Sequence, residues 1–464
     1  MGRIERDLIG EMEIPEDAYY GINTARAMEN FNVSGRKVHP EMIKSLALVK
    51  QAAVDANMTL KLLDRKIGDA IYQAAGEIAE GRFQDHFVVD ALQGGAGTST
   101  NMNINEVVAN RAIELLGGRK GDYSLVHPNN HVNMGQSTND VYPTALRIAA
   151  IRLLQPLSES CAELQGALQK KEAEFAGVLK VGRTEMQDAV PVTLGQEFGA
   201  YAEAVSRDRW RLYKVEERLR QINIGGTAVG TGLNAHRRYI YTITERLRGL
   251  TGMGLARAEN MIDVTQNADV FVEVSGLIKA AAATQAKIAA DLRLLSSGPR
   301  AGLGEIKLPD LQAGSSMMPG KVNPVLPEMV TQVSYQVMAQ DLAISMAVQA
   351  GQLELNAFLP LITANLLPAM DTLTNAQKLF SRRCIMGITA NKDRCRELLD
   401  SSISLVTVLV PHVGYEKASQ LAKEALETNS SFKKVLLNKG LFSEEELEKL
   451  IRPDAAAKAG IIER

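Results

Sequence analysis

Leu146, Ala150, Leu153, Leu157, Cys161, Leu164 and Leu168 recur every three or four residues, and no other pattern in the chain restricts the fold as strongly. A run this long and narrow predicts one helix whose apolar seam needs a neighbour of the same kind. Pro156 lies inside it and predicts a kink. Leu194, Phe198, Tyr201, Val205, Leu212, Val215, Leu219 and Ile222 repeat the pattern, and residues 262–295 and 325–350 read as two more long, alanine-rich helices. Strand-like alternation is scarce and aromatics are only 5% of residues, so the expected class is all-α. Several such seams exceed what one compact domain needs; a bundle continued across subunits accounts for them most simply.

On either side of this bundle the patterns are shorter. Residues 1 to about 40 mix charges with Pro15, Gly21 and Gly35 and read as extended or irregular. Ile43, Leu46, Ala47, Lys50 and Ala53 then share a helix face, and a second helix runs through Ile67, Ile71, Ala74 and Ile78, with Gly81 placed to end it. From about Asn391 the chain is more charged and the period shorter. The expected division is a mostly helical domain over 1–137, the long-helix bundle over 138–390 and a small helical domain over 391–464.

Lys plus Arg (52) nearly balance Asp plus Glu (54), so no basic field points to nucleic acid. No apolar run approaches a membrane span, and the charged start, Met1 to Asp7, lacks the apolar core of a secretory signal. Cys161, Cys384 and Cys395 have no paired spacing, which argues for a reducing compartment with buried thiols. A cytoplasmic protein without membrane or nucleic-acid partners is expected.

The breaks between helices are unusually polar. Gly314-Ser315-Ser316-Met317-Met318-Pro319-Gly320-Lys321-Val322-Asn323-Pro324 is too rich in Gly and Pro for a helix or strand. Its free N–H groups, with Lys321 and Asn323, suit an anion; as a pattern alone it fits a Gly/Pro connector equally well. Gln93-Gly94-Gly95-Ala96-Gly97-Thr98-Ser99 places hydroxyls at the head of a helix, either as an anion site or as a simple N-terminus. His127 and His131 are four apart, but Pro128 intervenes and no acid or cysteine follows, so a metal site is not expected. Asn139 or Asp140 can cap the helix that follows Gln136-Ser137-Thr138.

The Gly314–Pro324 stretch resembles the mobile serine loop of the fumarase/aspartase superfamily. Gly97-Thr98-Ser99 with Asn101-Met102-Asn103, Gln136 to Asp140, Gly182-Arg183-Thr184, Gly195-Gln196-Glu197 and Gly230 to Asn234 are similar to its other blocks, in the same order. Tyr19-Tyr20-Gly21, Gln93 to Gly97, Leu292 to Leu303 and Gly387 to Lys392 resemble the aspartase branch, whereas Pro411 to Tyr415 is nearer the fumarases. The resemblance implies a homotetramer with a central bundle of long helices, and active sites that gather loops from three subunits. It also implies reversible elimination of ammonia from L-aspartate to give fumarate, without a cofactor. Fumarase activity, or an aspartase-like lyase acting on another amine, are the alternatives.

A proton beside a carboxylate is weakly acidic, so such a site must supply a strong base and hold the dianionic carboxylate left behind. By resemblance Ser315 is the base, helped by surrounding N–H donors and Lys321. Lys321 and Asn323 match the grip on one substrate carboxylate; Thr98, Ser99, Ser137, Thr138 and Ser316 match positions around the other. Asn139 and Thr184 match positions near the leaving group, and Met318 is expected to pack behind the loop. Glu185 departs from the pattern: relatives have histidine or glutamine there, and a histidine would be held by a carboxylate at the Glu328 position. Two acids together raise one pKa, so Glu185 is either a protonated donor or a partner for a substrate ammonium. Asn130 and Met134 replace the usual Asp and Lys, which removes an ion pair and puts a secondary anion site in doubt.

Overall fold

The computed structural model describes residues 2–460. Helices dominate, as the periodicity requires, and the strands among the described residues form four two-stranded sheets. The longest helices are Thr138–Glu174, Leu194–Leu219, Val270–Leu295, Val325–Gln349 and Leu359–Leu379. The expected 262–295 helix is interrupted: Asn260 caps a short Met261–Gln266 helix, and the long one starts afresh at Val270. Ile222, expected to extend the helix ending at Leu219, pairs instead in a two-residue parallel strand with Ala256–Arg257. No helix of the described residues is long and apolar enough to cross a membrane.

Two compact units are distinguished. One comprises Met1–Ser158, Arg211–Ala280 and Gln336–Thr372; the other comprises Glu159–Trp210, Ala281–Tyr335 and Leu373–Arg464. Each of the five long helices supplies residues to both.

In the first unit the start of the chain is more regular than expected. Gly2–Arg6 and Glu11–Pro15 form an antiparallel hairpin, and Ile22–Asn30 is a helix. Its order comes from polar burial, which hydrophobic periodicity does not register. Glu106, 1% exposed, accepts hydrogen bonds from the N–H groups of Gly21, Asn23 and Thr24 and from the Thr24 hydroxyl, meeting the unpaired donors at that helix's head. Pro40–Thr59 and Arg65–Ala79 follow as expected; Asp64 caps the second, and Gly81 reverses the chain at φ 95°.

In the second unit Leu179–Thr184 and Gln187–Thr193 form a hairpin closed by Glu185 and Met186, both at positive φ. The sequence reads there as a polar break because most of its outer positions are exposed. Short helices after Lys392 pack Leu399, Leu409, Leu421, Phe432, Leu436 and Leu447 with Val181 into one apolar cluster. The three cysteines are free and buried, and burial pushes each thiol up to about 12.

Candidate active site

The residues singled out by sequence fall into two sets, one in each unit. The first surrounds the heads of two helices. The glycine-rich turn ends at Gly97, whose φ of 92° and whose closeness to Tyr142 both exclude a side chain: a Cβ there would lie 2.2 Å from the ring. The helix Thr98–Leu115 begins at once, with Thr98 exposed and its hydroxyl donating to the Gly95 carbonyl at 2.7 Å. Ser99 sits beside it, half-buried, in the first turn.

The second helix of this set starts at Thr138. Asn139 and Asp140 are the caps expected from sequence, but Ser137 fills that role: its hydroxyl accepts from Asn139 N–H at 3.3 Å, while Asp140 Oδ1 reaches back to Ser137 N–H at 2.9 Å. The other Asp140 oxygen accepts from Gly225 and Thr227 N–H at 3.0 and 2.9 Å, which ties the cap to the glycine-rich 225–234 loop. Burial raises the Asp140 carboxyl to about 6, against the pull of these N–H groups. The Asn139 side chain donates to Ala228 O at 2.8 Å.

Below both helix heads lies a residue that the sequence places only among apolar neighbours. Lys50 is 0% exposed, and its ammonium donates to Asn101 Oδ1, Asn133 Oδ1 and Gln136 Oε1 at 2.8, 3.0 and 2.8 Å. Asn101 in turn donates to the Thr138 hydroxyl oxygen at 3.1 Å. Burial lowers the lysine to about 7, and the Asp140 charge acts the other way. The signal was available: a lysine in line with Ile43, Leu46 and Ala47 stays buried only if acceptors surround it. His127 and His131 are engaged nearby in local turns: His127 Nδ1 accepts from Asn129 and Asn130 N–H, and His131 Nδ1 from His127 N–H.

The second set lies on the serine loop and the 179–193 hairpin. Ser315 Oγ accepts from the backbone N–H groups of Met317 and Met318 at 3.1 and 2.9 Å. Two N–H donors on one hydroxyl oxygen form a small nest, which favours negative charge on that oxygen. Gly314 N–H donates to Lys321 O, and Asn323 Nδ2 donates to Gly314 O, both at 2.7 Å, so the loop is closed across its base. The second amide hydrogen of Asn323 has no acceptor among the described residues. Lys321 is exposed and has no ion-pair partner among the described residues. Ser316 is exposed beside the half-buried Ser315. Met318 does not pack behind the loop: it is 60% exposed, and with Ser315 and Lys321 it lines a groove of about 370 Å³.

Thr184 and Glu185 stand exposed at the hairpin tip. The strand below is anchored by charge, since Arg183 donates to both oxygens of fully buried Glu305 at 3.1 and 3.0 Å. Lys180 lies 3.3 Å from the same carboxylate and 2.7 Å from Glu197. Burial raises the Glu197 carboxyl, with Lys180 opposing. Glu328, on the first turn of Val325–Gln349, lies 4.0 Å from Arg293.

The chain is similar to known proteins over its whole length. Residues 10–339 match the family model described as lyase, and residues 405–456 match that of the fumarase C C-terminus. An aspartate ammonia-lyase from a Bacillus species is 51% identical over 462 residues, covering 100% of this chain and 99% of its own. The crystal structure titled fumarate lyase:delta crystallin from Brucella melitensis, bound to cobalt, superposes with a TM-score of 0.94 at 48% identity, covering 98% of each chain. A class II fumarase from Schistosoma mansoni gives 0.93 at 35% identity, also over 98% of each chain. Similarity of this extent in both sequence and fold makes the chain a member of the aspartate ammonia-lyase branch of the fumarase/aspartase superfamily.

Proposed function

We propose that the chain catalyses the reversible elimination of ammonia from L-aspartate to give fumarate. Full-length relatives at 45 to 51% identity carry that name. The observation that carries the chemistry is the Ser315 hydroxyl, whose oxygen already receives two backbone N–H groups. Ionised, it removes a proton from the carbon next to one substrate carboxylate. The electron pair moves into that carboxylate as a dianionic aci form, then returns to make the double bond as the C–N bond breaks and ammonia leaves.

Lys321 and the spare Asn323 hydrogen hold one carboxylate by a charge-assisted contact. Thr98, Ser99, Ser137, Thr138 and Ser316 surround the other, where charge builds up. Asn139, Thr184 and Glu185 attend the amine, and Glu328 supports them. No cofactor or metal enters the proposed steps. The serine loop closes over bound substrate; its hydrogen bonds in the free chain are all local, which suits a moving element.

In this reading the site is assembled in a homotetramer of cytoplasmic enzyme, with the 1–137, 138–390 and 391–464 segments as its three domains. Support for assembly comes from the helix Val325–Gln349. Tyr335, Ala339, Leu342, Met346 and Gln349 are spaced by four and three, uncharged, and exposed in the single chain. That is the pattern of a seam awaiting another helix.

The test is the appearance of fumarate from L-aspartate and, separately, from L-malate, with Ser315→Ala as control. Fumarate from L-aspartate alone, reduced about 10³-fold by Ser315→Ala, is the expected outcome. Fumarate from L-malate alone would replace this reading by a fumarase, in line with the match at residues 405–456. Turnover of neither points to another amine, and Glu185 is then the first residue to vary.

A further inference from the structure

The bonds around Lys50 have a direction, and that direction ends at a substrate-facing hydroxyl. A lysine ammonium has three donors and no acceptor. Its three partners must therefore all turn oxygen toward it, which fixes amide orientations that are otherwise interchangeable. Asn101 presents Oδ1 to Lys50 at 2.8 Å, so its NH₂ group faces the other way, to Thr138 Oγ1 at 3.1 Å and Asn133 Oδ1 at 3.3 Å. Asn133 Oδ1 also accepts from Lys50 and from Asn105, and its own Nδ2 donates onward to Gln136 O. Gln136 turns Oε1 to Lys50 and donates from Nε2 to Val132 O and Met134 O. From the ammonium through Asn101 to Thr138 each bond is donated outward, while Asn105 donates into the set at Asn133 Oδ1.

At Thr138 this polarity has a consequence. Its oxygen accepts the Asn101 N–H with one of its two lone pairs, and its hydrogen has no acceptor among the described residues. Asn101 is 1% exposed and Thr138 9%, so water competes poorly for these bonds.

We infer that Lys50 is a positioning residue that acts through Asn101 to hold the Thr138 hydroxyl as a hydrogen-bond donor, which sets this part of the site to accept a carboxylate. The inference rests on the proposed placement of Thr138 against a substrate carboxylate. Lys50 touches no substrate in this scheme. It decides which way a shared chain of hydrogen bonds points, and a carboxylate, which only accepts, is the ligand that polarity suits.

Lys50→Met would strand three amide oxygens and is a poor test, because it endangers folding. Asn101→Asp is better. It replaces the buried amide by an ion pair with Lys50 while removing the N–H that reaches Thr138. The Thr138 proton then turns to the introduced carboxylate and is lost to the ligand.

Succinate, a dicarboxylate without the amine, serves as the probe in competition with L-aspartate, alongside Thr138→Val and the double variant. Variants are compared at matched thermal stability. Asn101→Asp is expected to weaken succinate inhibition about tenfold and to lower kcat/KM for L-aspartate by at least as much, with part of that loss in kcat because charge builds up on the carboxylate that Thr138 meets. Thr138→Val is expected to do the same, and the double variant to be no worse than either single one, since both remove one donated proton. A purely structural role would multiply the two losses, and that result would overturn the relay. So would succinate inhibition unchanged in Asn101→Asp but weakened in Thr138→Val, which would leave the proposed carboxylate position intact. Unchanged inhibition in Thr138→Val would remove Thr138 from the site and take the inference with it.

Discussion

The cradle around Thr98 and Thr138 and the loop around Ser315 offer the same kinds of groups to a ligand, hydroxyls and N–H donors, yet they are held in opposite ways. In the cradle the ties are long-range: Lys50 to Asn101, Asn133 and Gln136, and Asp140 to Gly225 and Thr227, with all but the half-buried Asn133 and Gln136 buried. In the loop they span two to nine residues, and the side chains are half-buried at Ser315 and Asn323 and exposed at Ser316, Met318 and Lys321. A group held by distant partners moves only if the fold moves. One held by its own neighbours can travel with its segment. The proposed chemistry uses both, a fixed receptor for developing charge and a base that arrives.

This contrast predicts that damage to the cradle lowers thermal stability, whereas damage to the loop lowers kcat at unchanged stability. The largest expected effect is at Gly97→Ala. A Cβ 2.2 Å from the buried Tyr142 ring, on a backbone at φ 92°, should destabilise by about 3 kcal/mol from overpacking and strain, seen as a fall in Tm.

Asp140→Asn should follow at about 2 kcal/mol, because one N–H donor now meets an amide NH₂. Its pH signature is distinct. The native Asp140 pKa of about 6 lies above the ordinary 3.8, so this group's stabilisation is full below 3.8 and lost as pH rises through 6. A Tm series from pH 4 to 7 should show a shallower decline in Asp140→Asn than in the parent.

Leu342→Glu, in the exposed seam, should shift mass by light scattering from the proposed tetramer toward smaller species, with activity falling in step. The smallest change in Tm is expected from Gly320→Ala. Its φ of 81° costs about 1 kcal/mol in an alanine, but nothing lies within 4 Å of the added Cβ, so the strain stays within the loop. A several-fold loss of kcat at unchanged Tm would sharpen the contrast; a Tm fall equal to that of Gly97→Ala would break it.

The long helices were legible because their burial is apolar and periodic. What was not legible is what polar burial builds. The first hairpin and its following helix depend on Glu106 and on Glu5, 5% exposed, and no hydropathy pattern marks a buried carboxylate as an organising centre. The 179–193 hairpin hides similarly, since Lys180, Arg183 and Glu305 satisfy one another inside it. At the site, composition shows where anion-binding groups are gathered, as in Gly314 to Asn323. It does not show that Asn323 spends one hydrogen on Gly314, or that Thr138 keeps its proton free, because such facts depend on which partner is donor-only.

The two-residue turn at Glu185 and Met186 bears on any attempt to redesign specificity. Both residues adopt left-handed backbone, at φ 53° and 65°, as a tight hairpin of this length demands, and Asn-Gly would suit it far better. Position 185 thus answers to two selections, one on its side chain and one on its backbone. A library sorted for fold alone should drift toward asparagine, aspartate and glycine there, while one sorted for turnover reports the carboxylate's value net of that drift. Substituents branched at Cβ will score poorly in both, whatever their fit to a ligand.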